Sequence, residues 1–250
     1  MKKFPQRARQ AGFTLVELMV SMAIGLAIVL ALLILLVDVN RHNSELGKSS
    51  RMVENGRYAL QVLGEDIAHA GYWGGYVPRF DDLTFPGIPN DVPAALPDPC
   101  LTYTPPWTDT QKSLLVGVPV QGYEIPSPVP SPTLGVCADK IVRPKANTDV
   151  LFVRHTETCV PGVGSCPAVA ANELYFQVAR CGTTVIDPGY VMSADATALT
   201  AQNRDCTTTA ELRKLVSNLY YVRDHAVTVG DGIPTLMRSQ FGLDSGALQH

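Results

Sequence analysis

Glu17 is the first residue whose type and position demand a chemical explanation, because its carboxylate stands directly before a long apolar run. The twenty residues from Leu18 to Val37 contain no charged side chain, and Ser21 carries their only hydroxyl group. At about 1.5 Å of rise per residue, a helix of this length spans roughly 30 Å, the thickness of a bilayer's hydrocarbon core. A carboxylate in hydrocarbon is costly unless it meets a partner. We therefore expect Glu17 to pair with a positive charge when the run lies in a membrane.

A basic segment precedes the apolar run. It contains no acidic residue and four basic ones, Lys2, Lys3, Arg7 and Arg9. Positive charges beside an apolar segment favour the cytoplasmic side, so we expect a cytoplasmic N-terminus and an exported C-terminal part. The formal charge of the chain is −3, and without residues 1–12 it would be near −7, with 16 basic and 23 acidic residues. This balance is poorly suited to phosphate backbones, so we expect no nucleic-acid partner.

The six cysteines all follow the apolar run, in the part predicted to be exported. An even number of cysteines in an exported region predicts disulfide bonds, and six cysteines allow fifteen pairings. We favour sequential pairing because each bond then closes a modest loop: Cys100–Cys137, Cys159–Cys166 and Cys181–Cys206. A zinc site is the weaker alternative, since no two of these cysteines have C-x-x-C spacing.

Motifs of catalysis are missing from the sequence. We find no P-loop, no dinucleotide-binding glycine motif, no G-x-S-x-G and no H-E-x-x-H. His155-Thr156-Glu157 has the H-x-E spacing of zinc deaminases, but the P-C-x-x-C that completes that motif is absent, so chance explains it better. Asp81-Asp82 and Asp231 lie in no EF-hand loop, so solvated turns are the default interpretation. We predict no catalytic residue, no metal and no cofactor.

The residues around Glu17 resemble the class III signal of type IV pilins and pseudopilins. In these proteins a prepilin peptidase cuts after a glycine and N-methylates the phenylalanine that follows. The resemblance implies a leader over residues 1–12 that ends at Gly12, a methylated mature N-terminus at Phe13, and pairing of Glu17 with the terminal amine of a neighbouring subunit during assembly. The alternatives are a secretory signal peptide, for which no A-x-A site follows Val37, and a plain signal anchor.

The helical pattern continues well beyond the membrane segment at 18–37. No proline occurs from Phe13 until Pro78. Apolar and small residues recur at helical spacings of three and four, at Val53, Gly56, Leu60, Leu63, Ile67 and Ala70. We predict one helix from Phe13 to about Ala70 that ends at the glycines Gly71, Gly74 and Gly75. The aromatic residues Tyr72, Trp73 and Tyr76 then either pack back on this apolar stripe, which we favour for Trp73, or form an exposed patch with Trp107.

A second resemblance lies at the end of this helix. Arg57-Tyr58-Ala59-Leu60 and the stretch from Ala68 to Gly74 resemble the N-R-Y-A-L…D-I…A-G-Y-x-G pattern of the PilW group of minor pilins. The resemblance implies an α+β, type IV pilin-like fold, in which the long helix over 13–71 packs on an antiparallel β-sheet domain over 72–250. It also implies a minor pilin that primes or assists assembly of a type IV pilus and has no enzymatic activity.

The family resemblance implies partners and locations as well. The partners are other minor and major pilins through the N-terminal helix, prepilin peptidase, the inner-membrane pilus assembly machinery and membrane lipid. The implied location is the bacterial inner membrane, crossed once with the C-terminal domain in the periplasm, and then the pilus at the cell surface. The alternatives are a J-type pseudopilin of type II secretion, a filament-tip subunit that binds a surface or DNA, and an enzyme on a signal anchor.

In the C-terminal part, prolines and β-branched residues divide the chain. Thirteen of the nineteen prolines lie between 78 and 132, which predicts an irregular segment with short edge strands such as Ser113–Val118. The strongest strand patterns are 150–154, 173–178, 213–223 and a hairpin that turns at 230–232, and 193–202 fits a short helix or a loop. We expect no closing strand after Phe241, which suggests C-terminal truncation because the PilW-like group usually continues with further strands.

Overall fold

The computed structural model describes residues 12, 14–78, 93, 95–103, 107–131, 133–137, 139–171, 173–183, 186, 189–244 and 247–249. The chain separates into two units, Met1–Leu60 and Gln61–His250. Phe13, residues 1–11 of the predicted leader and Asp81-Asp82 lie outside the described residues.

A single long helix, α1, runs from Leu15 to His69. Its start and end fall within two residues of the prediction, which is the usual uncertainty of helix boundaries. No proline interrupts it, and Gly25, Gly47 and Gly56 lie within its helical span. The chain leaves the helix at Gly71, which has the positive φ of 76° that favours glycine.

The second unit contains a six-stranded sheet in which all neighbouring strands are antiparallel. The longest strand, β5, pairs with β2 along one edge and with β3 and β6 at different places along the other, while β1 and β4 lie outside β2 and β3. The strands are β1 Val120–Ile125, β2 Thr148–Thr156, β3 Tyr175–Val178, β4 Tyr190–Ser193, β5 Leu212–Arg223 and β6 Thr235–Gln240. The predicted α+β class, a long N-terminal helix with an antiparallel sheet, is confirmed.

Two apolar clusters cover one face of this sheet. The first contains Trp73, Trp107 and Phe176, and the second contains Val150, Phe152 and the cysteines Cys100 and Cys137. Trp73 is 1% exposed and its ring lies 5.7 Å from that of Phe176. Burial of both tryptophans contradicts the alternative of an exposed aromatic patch that includes them.

The expected packing of the aromatic residues on the helix stripe is wrong for Trp73. Among the described residues, its cluster contains no residue of α1. The positive φ angles of Gly71 and Gly74 (76° and 62°) turn the chain, and Trp73 packs with the ring of Phe176 in β3. In the same unit, Ile67 of the predicted stripe remains 47% exposed.

The strand predicted over Ser113–Val118 is also wrong, because a helix, α2, spans Asp109–Gly117. Thr108 and Gln111 form a capping box at its start: the Gln111 N–H donates to Thr108 Oγ1 at 3.2 Å, and the Thr108 N–H donates to Gln111 Oε1 at 2.9 Å. Paired capping bonds satisfy helix N–H groups that lack a partner within the helix. This polar start favours the helix over the strand suggested by Leu114-Leu115-Val116.

Two short strands that were not predicted follow Phe241, but in the described structure neither pairs with the six-stranded sheet, so the expectation that no strand closes that sheet is not contradicted. Gly242–Asp244 forms β7 and Ala247–Gln249 forms β8, and these two strands pair antiparallel as a separate two-stranded sheet. Three of the remaining strand predictions are confirmed: β2 contains residues 150–154, β5 contains 213–223, and β5 pairs with β6 across the turn at 230–232. The strand predicted over 173–178 is shorter, because β3 begins at Tyr175. The segment 193–202 contains the end of β4 and a 3-10 turn, Ala196–Ala198.

Candidate assembly site

The N-terminal end of α1 carries the predicted assembly residues. Gly12 and Thr14 precede the helix, and Glu17 lies in its first turn. The Glu17 N–H donates to Thr14 Oγ1 at 3.3 Å, which provides one of the two hydrogen bonds of a T-x-x-E capping box. A carboxylate in the first turn also suits the positive end of the helix dipole. Glu17 therefore has a local helix-starting role, and its side chain is exposed.

The apolar run that follows forms a continuous exposed surface. Its large apolar side chains are 52–71% exposed, from Leu18 to Val37. Among the described residues, α1 is the one helix whose length and composition would allow it to cross a membrane. Water is a poor environment for an apolar surface of this extent. The apolar helix fits membrane anchoring.

The C-terminal end of α1 is joined to the sheet by a carboxylate, Asp66. Asn218 Nδ2 and the Tyr220 hydroxyl both donate to Asp66 Oδ2, and His155 Nε2 lies 3.5 Å from Asp66 Oδ1. In the register of β2 and β5, Asn218 lies opposite Val153, and Val216 lies opposite His155. Residues two apart on a strand point to the same face, so Asn218, Tyr220 and His155 share one face of the sheet. Burial and the hydrogen bond to the Asp66 carboxylate raise the pKa of Tyr220 above its ordinary value.

The chain just beyond the helix is held on the end of β2. The Gly71 N–H donates to the carbonyl of Arg154 at 3.0 Å. The N–H and the hydroxyl of Thr156 both donate to the carbonyl of Tyr72, at 2.7 and 2.9 Å. These bonds and those of Asp66 fix the last turn of α1 to two neighbouring strands. Asp66 was not among the predicted site residues. The sequence feature that could have identified it is the D-I pair of the PilW-like pattern, which Asp66 and Ile67 match.

Three disulfides join the cysteines within the second unit. They are Cys100–Cys137, Cys159–Cys166 and Cys181–Cys206, with Cα–Cα distances of 5.3, 6.0 and 4.9 Å. Cys100 and Cys137 belong to the second apolar cluster, where Cys137 is fully buried. This bond links the segment before α2 to the segment after β1 and so encloses both elements.

The other residues considered for chemistry have structural contacts. The Asp231 carboxylate accepts four backbone N–H groups at 2.9–3.2 Å, from Ala226, Val227, Thr228 and Ile233. These donors lower the pKa of Asp231 and shape the loop between β5 and β6. His155 of the H-x-E triplet faces Asp66 at the junction. In the part of the chain that the structure describes, no three His, Cys, Asp or Glu side chains are placed to hold a metal.

A family model of the prokaryotic N-terminal methylation motif matches residues 7–33. The match includes Gly12, Phe13 and Glu17 and most of the apolar run. It supports a type IV pilin-like or pseudopilin-like role for the chain, in agreement with the apolar helix and the antiparallel sheet. Neither the curated proteins nor the solved structures provide a significant match.

Proposed function

We propose that this protein is a PilW-like minor subunit of a type IV pilus, which assembles through its N-terminal helix and has no catalytic activity. The observation that carries the proposal is the methylation motif at 7–33, which leads directly into the exposed apolar surface of α1. The PilW-like pattern at the other end of the helix supports the finer assignment. Two of its residues, Asp66 and Gly71, bind the helix end to the sheet.

Cleavage by prepilin peptidase between Gly12 and Phe13 removes the basic leader and creates a new terminal amine. In the assembled filament, this amine on one subunit pairs with Glu17 of a neighbour. The pair offsets the cost of holding a carboxylate among apolar helices. The partners in this scheme are major and other minor pilins, the inner-membrane assembly machinery and lipid.

The proposed route begins in the inner membrane. The basic leader favours a cytoplasmic N-terminus. Three disulfides in the second unit suit an oxidising compartment such as the periplasm. After assembly the subunit lies in the pilus at the cell surface.

Replacement of Glu17 tests this proposal. Glu17→Ala removes the carboxylate and leaves the apolar run intact, so we expect the variant to enter the membrane and to be missing from sheared pili. Glu45→Ala is the matched control, because Glu45 is a 65% exposed carboxylate on the same helix that pairs with Lys48 at 3.3 Å. We expect this control in both fractions. Glu17→Ala in pili at the wild-type level would contradict the proposal.

A deletion strain separates the pilus subunit from the J-type pseudopilin. The proposal predicts loss of surface pili with type II secretion unchanged, and restoration of pili by the wild-type gene. Normal piliation with a secretion defect would favour the pseudopilin instead.

A further inference from the structure

Arg154 carries a buried positive charge that the proposed assembly function does not use. The residue is 1% exposed. It lies in β2 two residues after Phe152 of the second apolar cluster, so its side chain is on the covered face of the sheet. Burial lowers the pKa of Arg154 to about 10, so the guanidinium keeps its charge near neutral pH. A buried charge is costly unless polar groups compensate it.

The two terminal nitrogens of the guanidinium differ in their contacts. Arg154 Nη1 donates to the carbonyl of Val118 at 3.2 Å and to Gln121 Oε1. Arg154 Nη2 is buried and has no hydrogen-bond partner among the described residues. The ring of Phe152, whose centroid lies 5.7 Å from the guanidinium carbon, offers only the attraction of an aromatic face. An unpaired buried N–H group is destabilising, so Nη2 requires an acceptor.

A small cavity beside Arg154 has room for such an acceptor. Its volume, about 10 Å³ for the centre of a water-sized sphere, is close to the smallest that accommodates one water molecule. Among the described residues, Arg154, Asp98 and Ser217 provide its polar lining, and apolar side chains that include Trp107 and Leu115 provide the rest. Ser217 lies directly opposite Arg154 in the register of β2 and β5. The volume excludes polyatomic anions such as sulfate or acetate.

The charges around the cavity favour a neutral ligand over a halide ion. Asp98 and Tyr123 raise the pKa of Arg154 and so oppose the effect of burial, but Asp98 forms no hydrogen bond with Nη2. An anion in the cavity would gain the attraction of Arg154 and meet the repulsion of Asp98. A water molecule accepts from Nη2 and donates to the Asp98 carboxylate, and the Ser217 hydroxyl lines the same space. Three polar partners are the usual number for a buried water.

We propose that this cavity is a binding site for one water molecule, which bridges Arg154 Nη2 to Asp98 and so fastens the segment before Cys100 to β2. The bridge extends a network of hydrogen bonds between the same two parts of the chain. Gln121, which accepts from Arg154 Nη1, donates through Nε2 to the carbonyl of Pro97 at 3.0 Å. The segment that leads into the buried disulfide is therefore held on the sheet by polar contacts as well as by the disulfide itself.

A crystal structure of the full chain in detergent, at a resolution that shows ordered water, tests the site directly. We expect a water molecule within about 3.2 Å of both Arg154 Nη2 and a carboxylate oxygen of Asp98. A second crystal soaked in sodium bromide distinguishes water from a halide, because bromide scatters X-rays anomalously, and we expect no anomalous peak in the cavity. A bromide peak there, a direct contact between Nη2 and Asp98, or a cavity without water would overturn the proposal.

Urea unfolding of variants of the full chain in detergent tests the bridge a second way. We expect the effects of Asp98→Ala and Arg154→Met on the unfolding equilibrium constant to depart from simple multiplication by at least about twofold, because partners in one hydrogen-bonded network are coupled. Asp98→Ala with Arg143→Met is the matched control and should multiply, since Arg143 has its own carboxylate partner, Asp224, at 2.9 Å. Independent effects of Asp98 and Arg154 would overturn the bridge. These outcomes do not depend on whether the chain is a pilus subunit.

Discussion

The Cys100–Cys137 disulfide should stabilise the second unit more than either of the other two. The paired cysteines are 37 residues apart, against 25 for Cys181–Cys206 and 7 for Cys159–Cys166. Closing a longer loop removes more entropy from the unfolded chain. The loop-entropy relation assigns about 4, 3.5 and 2.4 kcal/mol to these three bonds. Burial widens the difference, because Cys100 and Cys137 are 6% and 0% exposed within an apolar cluster.

Urea unfolding of two double-alanine variants tests this order. The first replaces Cys100 and Cys137, and the matched control replaces Cys159 and Cys166, which are only half-buried. Both tryptophans are buried in the second unit, so their fluorescence reports its unfolding in the full chain in detergent. We expect the first variant to be less stable than the control by about 1.5 kcal/mol or more. Equal stabilities, or a less stable control, would refute the reasoning from loop length and burial.

Two further predictions concern a glycine and a carboxylate. Gly71→Ala should destabilise the protein by about 1–2 kcal/mol, because φ is 76° and the new Cβ would lie 3.3 Å from Pro119 Cγ. Gly64→Ala, at a helical position with open space around it, should stabilise the protein by up to about 1 kcal/mol. Urea unfolding compares the two variants, and equal midpoints would contradict these expectations. Hydrogen bonds from Thr208 and Thr207 lower the pKa of Asp205 from 3.8 to about 2. Their stabilisation should therefore be complete above about pH 5 and lost as the pH falls to 2, so amide exchange of Thr208, corrected for the intrinsic pH dependence of exchange, should rise over this interval in wild type, and a flat corrected profile would contradict it.

The local sequence pattern was sufficient to predict the helices and strands with strong periodicity. The stretch without proline from Phe13 to Pro78 predicted α1, and the β-branched and aromatic runs predicted β2 and β5. Gly71 marked the helix end because a positive φ there favours glycine. These features depend on neighbours in sequence, which is why they could be read without the structure.

Features that depend on distant contacts could not be read in this way. Asp66 meets Tyr220 and Asn218, which are 154 and 152 residues further along the chain. β4 is a four-residue strand beside β3, and no long periodic run marks it. The apolar run before Val118 suits a strand or a helix equally well, and the cap formed by Thr108 and Gln111 decides between them.

The most direct test of the account is the N-terminus of the protein isolated from cells with and without prepilin peptidase. Intact mass and N-terminal sequencing identify the first residue and any methyl group. The account predicts a chain that begins at N-methylated Phe13 in the presence of the peptidase, and the uncut leader in its absence. A protein that begins at Met1 in both strains would contradict the account and leave a membrane-anchored exported domain without a role in filament assembly.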